Sequence, residues 1–405
     1  MNTRTTALVL LAATATFASA QRPDSAHFQV IDDHTIVVGD VTYHSWADLA
    51  ASGYFRENNA RCGMSLPLDH ADQLVGARGN ASDCTYDNTN PNAAYDPSVA
   101  KYRIPVVVHV IQRTNGTGFL DAAQIQSQID ILNEDYLAIP ATNGSLGTDC
   151  QIEFYLATED PDGAPTTGIT YTTDNNWFDD NGSYWSSLAW DTDRYLNIYT
   201  NSAAGYLGYV PDLPQGGIAG NNADRVVCLY SAFGRNSPLD PYDQGRTATH
   251  EIGHYLGLYH TFDYGCGSTA ACYTTGDRIC DTNRESDPVF GCPGSSNTCS
   301  SPDPFRNYMD YSDDLCMNNF TPEQGNRMRC SLLNYRPMLY SIDAGGPCSP
   351  ADLAEAFGTL DFSDVLAFLT AFASQSSEAD LAMPVGTFDF SDVLTFLGLF
   401  GAGCP

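Results

Sequence analysis

The pattern of apolar positions predicts a series of buried strands interrupted by one long helix. Residues 104–111 form a continuous apolar stretch suited to a buried strand. Asp121 can cap a helix in which Ile125, Ile129 and Leu132 recur at helical spacing. Further strand-like runs occupy residues 152–156, 195–199 and 225–230, and a second helix starts near Thr247. This order predicts an α+β domain with a twisted mixed sheet over residues 101–342.

The chain before this domain has a different pattern. Residues 1–20 combine Arg4, a short apolar run and an Ala-x-Ala ending, which is typical of a cleaved secretory signal. Residues 21–100 have short, irregular apolar patches, as expected of a pro-segment that folds against the following domain. We therefore expect an exported, extracellular protein.

An internal repeat follows a linker at residues 343–350. Within residues 351–405, the segment 360–366 recurs as 388–394, with a period of 28 residues. Each unit predicts an acidic loop that leads into an amphipathic helix, and two units can bury their apolar faces against each other. The predicted apolar face comprises Val365, Phe368, Leu369 and Phe372. Cys348 and Cys404 bracket the pair and are suited to form a disulfide.

The charge balance narrows the range of partners. The chain has 18 basic and 49 acidic residues, a net charge of −31. A field of this sign repels nucleic acid and anionic membrane surfaces, which makes both poor candidates for a partner. After the signal, no apolar run is long enough to span a membrane.

Thirteen cysteines in an exported chain indicate a disulfide framework with one thiol left over. We assign the free thiol to Cys62, in the sequence Arg61-Cys62-Gly63. A thiolate is a good zinc ligand, so a pro-segment cysteine can block a metal site. The alternative is an ordinary disulfide between Cys62 and Cys84.

Candidate chemistry is concentrated in the second helix, which contains the pattern H-E-x-x-H-x-x-G-x-x-H. His250 and His254 lie four residues apart, on one helix face, where both rings can reach one ion. Glu251 is offset by one residue and can polarise water in the open coordination position. Gly257 allows a left-handed turn after the helix, which delivers His260 as a third ligand.

The first two histidines alone would also fit an ordinary amphipathic helix. The set offsets of Gly257 and His260 favour zinc-dependent peptide hydrolysis instead. Downstream, Asn307-Tyr308-Met309-Asp310-Tyr311 follows in the order expected of a Met-turn beneath such a site.

These segments resemble the pappalysin (cytophagalysin) family of metzincin peptidases. The resemblance covers residues 60–340 and is most specific at 247–262 and 307–322. It implies a metzincin-type domain with an active-site helix and an irregular, disulfide-rich C-terminal subdomain. It also implies that Tyr311 lies beside the zinc ion and helps to hold the oxyanion, and that Cys62 acts as a cysteine switch.

The resemblance has two further implications for the part of the chain after His260. Sequence alone allows three pairings of the four cysteines around the Met-turn. The family pattern implies that Cys266 pairs with Cys299 and Cys292 with Cys316. Cys272 and Cys280 depart from this pattern and are suited to a local bridge. Asp277 and Thr282 resemble positions that help to bind structural calcium in the family; alternatively, Asp277 and Asp281 only solvate a turn.

Residues 351–405 resemble a dockerin-type module, small, all-α and duplicated. Ala354 and Ala356 stand where oxygen ligands are expected, which weakens the case for calcium there. The resemblance implies attachment to a cell surface or to a cohesin-like partner.

Together these patterns predict a secreted zinc endopeptidase, made as a zymogen, that acts on proteins or peptides. The alternative is a catalytically inactive metalloprotease-fold scaffold that is attached through its C-terminal module.

Overall fold

The computed structural model describes residues 28–64, 84, 100–343, 349–354, 360–382 and 386–403. The predicted signal at residues 1–20 and the predicted Cys348–Cys404 bond lie outside these residues. In chain order the elements are β1 (Phe28–Val30), β2 (Ile36–Val38), β3 (Val41–Tyr43), α1 (Trp46–Ala51), α2 (Tyr54–Glu57), β4 (Lys101–Gln112), α3 (Ala122–Tyr136), β5 (Ile152–Leu156), β6 (Ile169–Thr173), α4 (Asn175–Phe178), α5 (Trp185–Leu188), β7 (Leu196–Asn201), β8 (Gly208–Tyr209), β9 (Val226–Leu229), α6 (Arg246–Tyr255), α7 (Pro322–Tyr335), β10 (Ser341–Asp343), α8 (Phe362–Ala373) and α9 (Phe390–Ala402).

The main sheet is built around β4, which confirms the predicted strand at residues 104–111. Its seven strands include the path β10-β4-β7-β9-β8, and β5 and β6 also pair with β4. Strands β5, β6 and β7 run parallel to β4, whereas β10 is antiparallel to it. Strand β8 is antiparallel to β9 and pairs with no other described strand. The sheet is therefore mixed but mostly parallel, and β8 forms an edge.

Helix α3 packs against this sheet with the predicted face. The Asp121 carboxylate accepts a hydrogen bond from the Gln124 N–H at 2.8 Å, as expected for the helix cap. Ile125, Ile129 and Leu132 are all buried in the main core.

The described part of the predicted pro-segment, residues 28–64, is ordered into a small three-stranded antiparallel sheet and two short helices. The Phe28 ring stacks on Tyr54 beside Gly205, and Trp46 meets the ring of Tyr230 edge-on. Its apolar residues thus join the core of the main domain rather than forming one of their own.

Four disulfides cross-link the described residues. Cys266–Cys299 and Cys292–Cys316 confirm the pairing implied by the resemblance, and Cys272–Cys280 forms the expected local bridge. The fourth bond joins Cys84 to Cys330 in α7. The alternative Cys62–Cys84 bond is therefore wrong, because Cys84 already has a partner.

The expectation of a single free thiol is also wrong. Within the described ranges Cys62, Cys150 and Cys228 are all free and buried. Cys150 packs against α7 beside Gly325, and Cys228 lies inside β9. Cys150 and Cys228 each serve as a small apolar side chain, a role that a cysteine count does not reveal.

The C-terminal repeat forms two helices with a core of their own. The Phe368 and Phe396 rings stack with centroids 4.1 Å apart between α8 and α9. Val365 and Phe372 pack around them, but Leu369 is 52% exposed, so its placement on the buried face was wrong.

Aspartates at the helix starts hold the preceding loops of this repeat. One oxygen of Asp364 accepts hydrogen bonds from the Leu353 and Ala354 N–H groups, both at 2.8 Å. Asp392 makes the equivalent bonds in the second unit. One carboxylate oxygen of each aspartate therefore already accepts hydrogen bonds from backbone N–H groups.

Among the described helices, none is both long and apolar enough to cross a membrane.

A buried histidine predicts acid sensitivity of the fold. His109 Nε2 lies 3.0 Å from Asn197 Oδ1, and Nδ1 lies 2.7 Å from Thr170 Oγ1. Burial lowers the pKa of His109 to about 4. Because the unfolded chain binds this proton near pH 6.5, the stabilisation is complete above that pH and is lost as pH falls towards 4.

We expect the free energy of unfolding to fall by about 2 kcal/mol through this group between pH 7.5 and pH 5. Urea unfolding of wild type and His109→Gln at both pH values isolates the effect, because other titrating groups are common to both. Equal acid sensitivity of the two proteins would show that His109 is not responsible.

Candidate metal centre

Helix α6 places the first two histidines in the interior. All ten of its residues are buried, and it begins after Gly245, which has a left-handed φ of 73°. His250 and His254 lie one turn apart on the same face, and their Nε2 atoms are 3.0 Å apart. The predicted helix and the shared face are confirmed.

The third histidine reaches the same point through the predicted turn. Gly257 has a φ of 97°, and its N–H donates to the His254 carbonyl at 2.8 Å. The Leu258 N–H donates to the Gly253 carbonyl at 3.0 Å, which closes the helix. His260 Nε2 then lies 3.0 Å from His254 Nε2.

Hydrogen bonds at the opposite ring nitrogen orient the three imidazoles. The Nδ1 atoms of His250 and His254 lie 2.7 and 2.8 Å from the carbonyls of Tyr308 and Leu258, respectively. His260 Nδ1 lies 3.2 Å from the Asp263 carboxylate. Because these partners accept, each Nδ1 carries the hydrogen and each Nε2 presents a lone pair. Three lone pairs directed at one point fit a divalent metal ion.

Burial also favours the neutral, ligating form of the His250 and His254 rings. It is the largest cause of the lowered pKa of His250 and of His254, and the neighbouring rings lower each pKa further. The Cys62 Sγ atom joins the group, since one ligand atom from each of the four residues lies within 4.8 Å of the others.

Glu251 lies beside this group in a space that only a glycine leaves open. Its carboxylate is fully buried, and burial raises its pKa to about 8. A Cβ atom on Gly208 would lie 2.7 Å from the Glu251 Cγ and 3.0 Å from the Thr247 methyl group. The edge strand β8 can therefore approach α6 closely only without a side chain here.

The predicted Met-turn lies beneath the histidines. Met309 Sδ occupies the space that a Cβ atom on Gly253 would take, so this sulfur packs directly against α6. The Thr261 N–H donates to the Met309 carbonyl at 3.2 Å. Tyr311 is buried, with its hydroxyl 3.2 Å from His260 Nε2. The structure thus brings together Tyr311 and the three histidines.

The segment around Cys62 runs along the edge strand and into the site. The Gly63 N–H donates to the Gly208 carbonyl at 2.9 Å, and the Leu207 N–H donates to the Ala60 carbonyl at 3.0 Å. Cys62 Sγ lies 3.4 Å from Glu251 Oε2. Burial and the Glu251 carboxylate both raise the pKa of this thiol.

The residues on either side of Cys62 have specific contacts that the sequence did not reveal. The Arg61 guanidinium is fully buried, 3.6 Å from Asp314 and 3.2 Å from the Thr247 hydroxyl. A Cβ atom on Gly63 would lie 2.9 Å from the Tyr206 ring. In the sequence, only their position next to Cys62 marked Arg61 and Gly63 as candidates. Asp314 was marked only by its place in the Met-turn segment.

A second buried network supports the site and was also missed. Asp135 on α3 accepts hydrogen bonds from Arg246 at 3.1 Å, Thr249 at 2.7 Å and Tyr308 at 2.8 Å. It therefore connects α3, α6 and the turn that binds His250 Nδ1. An aspartate near the end of a helix carries no pattern that predicts this role.

The predicted calcium pair is close in space. Thr282 donates to the Asp277 carboxylate at 2.6 Å, and the Ile279 N–H donates to it at 3.1 Å. Burial raises the pKa of Asp277 to about 7. These bonds satisfy the carboxylate within the protein, and calcium at this position stays a prediction.

Comparison with known proteins agrees with this geometry. Residues 181–333 match the peptidase M43 family, described as "Pregnancy-associated plasma protein-A". An "Extracellular metalloprotease" of Colletotrichum graminicola is 33% identical over 286 residues, which cover 68% of this chain and 91% of the relative. A protein of the same description from Verticillium alfalfae is 35% identical over equal shares.

Two solved structures are also similar. A structure of "Mirolysin in complex with compound 9" covers 59% of this chain and 96% of its own, with 39% identity and a TM-score of 0.51. A promirolysin mutant from Tannerella forsythia covers 69% of this chain and 96% of its own, with 33% identity and a TM-score of 0.53. The relatives are matched over nearly their full length, and the histidine geometry agrees with their description as metalloproteases. This chain therefore belongs to the M43 (pappalysin) family of metallopeptidases.

Proposed function

We propose that this protein is a secreted zinc endopeptidase that is made as an inactive precursor. The convergence of the His250, His254 and His260 Nε2 atoms beside the Glu251 carboxylate is the observation that carries this proposal. Three nitrogen ligands with room for a fourth group suit catalytic zinc. When bound, zinc acts as a Lewis acid that lowers the pKa of water and polarises a peptide carbonyl.

The chain's own residues would perform the remaining steps. Glu251 accepts a proton from the attacking water and returns it to the leaving amine. The Tyr311 hydroxyl, held in the interior beside His260, donates a hydrogen bond to the oxyanion as charge develops on the carbonyl oxygen.

Residues 28–64 would hold the enzyme in its latent state. Their main-chain bonds to Leu207 and Gly208 occupy the sheet edge along which an extended substrate would pair. Cys62 supplies the thiol that would take the fourth ligand position. The greater coverage of this chain by promirolysin than by mirolysin supports this assignment.

Arg61 suggests the substrate preference of the same cleft. Its guanidinium fills a pocket with Asp314 at the base and the Tyr242 ring 5.2 Å away. When the segment leaves, an acidic, aromatic pocket would be free for a substrate side chain. We infer that a basic residue after the scissile bond binds there.

The C-terminal helices would serve attachment rather than catalysis. Large apolar side chains stay exposed at matching positions of α8 and α9: Phe362, Leu366, Leu369, Phe390, Leu394 and Leu397. The chain has no lysine, arginine or histidine after Arg336, so an apolar partner surface flanked by basic groups would complement this module. If the catalytic domain were inactive, this attachment would be the protein's main role.

Replacement of the proposed base tests the function directly. Glu251→Gln keeps the shape and the buried position, so we expect zinc content and thermal stability to change little. Peptide cleavage by the processed enzyme should fall by about 10³-fold, because general base catalysis is lost. The measurement is turnover of a quenched-fluorescent peptide library, with metal content determined on the same samples.

Glu153→Gln, at a surface ion pair on β5, is the matched control and should keep full activity. Undiminished turnover by Glu251→Gln would refute the assignment of the base. Failure of processed, zinc-loaded wild type to cleave any peptide would instead favour the scaffold alternative.

Removal of the switch thiol tests latency. In Cys62→Ala the fourth ligand position is open while residues 60–63 still cover the sheet edge. We therefore expect uncut precursor to cleave peptides at least about tenfold faster than uncut wild type, since thiolate coordination is lost. Mass spectrometry after the assay verifies that the precursor is intact. Cys150→Ala, another buried free thiol, is the control. An inactive Cys62→Ala precursor would assign latency to the main chain alone.

Asp314→Asn tests the proposed substrate preference. The two backbone N–H donors from Gln244 and Arg246 can still bond to an amide oxygen. Only the charge facing the basic side chain is lost, at about 1.5–3 kcal/mol for a charged hydrogen bond. We expect kcat/KM for peptides with arginine in this pocket to fall by about 10–100-fold, mainly through KM. Peptides with norleucine there should change little. A uniform loss on all peptides would mean that Asp314 has a structural role only.

A further inference from the structure

We call residues 28–64 the latency segment. The Cys84–Cys330 disulfide joins the chain that follows this segment to the domain that the segment covers. Cys84 is 22 residues after Cys62, and its partner lies in α7, 246 residues further along the chain. Both half-cystines are buried, and Asn334 on the same helix contacts both sulfur atoms. The chain between the metal centre and β4 is therefore bonded to the catalytic domain at one internal point.

Residues 28–64 are otherwise held without covalent bonds. The Tyr230 hydroxyl donates to Asp33 at 3.0 Å, and the aromatic contacts of Phe28 and Trp46 bury apolar surface against the domain. The Arg61–Asp314 pair and the two main-chain bonds at the sheet edge complete the contact. Such an interface dissociates on dilution only when the segment is a separate molecule.

The position of a backbone cut relative to Cys84 decides whether residues 28–64 become a separate molecule. A cut before Cys84 makes residues 28–64 a free fragment, whose binding depends on its concentration. A cut after Cys84 leaves the fragment bonded through Cys330, with about twenty residues between the bond and Met64. A tether of this length maintains a millimolar effective concentration and strengthens retention by about 10²–10⁴-fold.

We propose that the Cys84–Cys330 disulfide is a covalent tether that restricts activation to cleavage between Met64 and Cys84. Cleavage between Cys84 and Ala100 leaves the precursor latent. The mature enzyme therefore retains Cys84, so the domain starts before residue 84 rather than at 101. This inference rests on the proposed latency of residues 28–64.

The test uses full-length protein with a recognition sequence for a highly specific protease inserted at one of two places. The early site lies between residues 72 and 73, and the late site between residues 92 and 93. Both are made in the Glu251→Gln background, which prevents self-cleavage. After cutting, each protein is diluted in steps and passed over a size-exclusion column without reductant. The measured quantity is the fraction of the fragment containing residues 28–64 that elutes with the domain.

We expect the early-cut fragment to separate progressively with dilution and the late-cut fragment to co-elute at every concentration. Adding Cys84→Ser and Cys330→Ser to the late-cut protein should restore separation. The proposal is overturned if the late-cut fragment separates without these changes, or if the early-cut fragment never separates.

The same insertions with Glu251 intact distinguish this inference from the proposed function. At low nanomolar concentration, late-cut protein should have about 10²-fold less peptidase activity than early-cut protein. Fragment release without any activity would refute the peptidase assignment and leave the tether standing. Activity of the late-cut protein equal to that of the early-cut protein would refute the tether as a control of latency.

Discussion

Three converging imidazole nitrogens in the protein interior, with His254 Nε2 lying 3.0 Å from both His250 Nε2 and His260 Nε2, impose the strongest constraint on this structure. Their lone pairs repel unless a cation lies between them, and burial keeps His250 and His254 from becoming cations themselves. The geometry is maintained because each Nδ1 is anchored, two of them to backbone carbonyls. Around this point Gly208, Gly253 and Gly257 are glycine for steric or conformational reasons, since a Cβ atom at each would meet a neighbouring side chain.

A buried ionic network holds the helix that carries two of these rings. Asp135, Arg246, Thr249 and Tyr308 bring a negative and a positive charge into the interior with several hydrogen bonds. Burial raises the pKa of Asp135 to about 6 even though Arg246 opposes the shift. Removing one partner would leave a buried charge uncompensated, a change that typically costs about 3–5 kcal/mol. The network thus makes the position of α6 relative to the Met-turn sensitive to single changes at residues that bind no metal themselves.

If residues 28–64 hold the enzyme latent as proposed, they do so by reproducing several features of a bound substrate with groups that cannot react. The main chain of this segment bonds to the edge strand, its arginine fills an acidic pocket, and its thiol stands where water would be activated. A separate physical reason consequently favours each residue of the Arg-Cys-Gly triplet. Arg61 supplies charge opposite Asp314, Cys62 supplies a possible metal ligand, and Gly63 allows close approach to Tyr206. The Cys84–Cys330 disulfide adds a covalent bond beside these contacts, and in the proposed tether it would link inhibition to the position of the processing cut.

The sequence by itself determined the central strand, the helix capped by Asp121, and the helix and turn that carry the three histidines, because these features depend on local spacing. Helical periodicity placed His250 and His254 on one face, a single glycine predicted the turn to His260, and a continuous apolar run predicted the central strand. Only the tertiary structure decided the partners that come from distant parts of the chain. Asp314 beneath Arg61, Asp135 beneath Arg246 and Cys330 bonded to Cys84 join positions 253, 111 and 246 residues apart. No local period encodes such pairs, since any buried aspartate or cysteine looks the same until packing shows what it faces. The exposed Leu369 makes the same point, because helical spacing defines an apolar face, whereas packing decides how much of that face is covered.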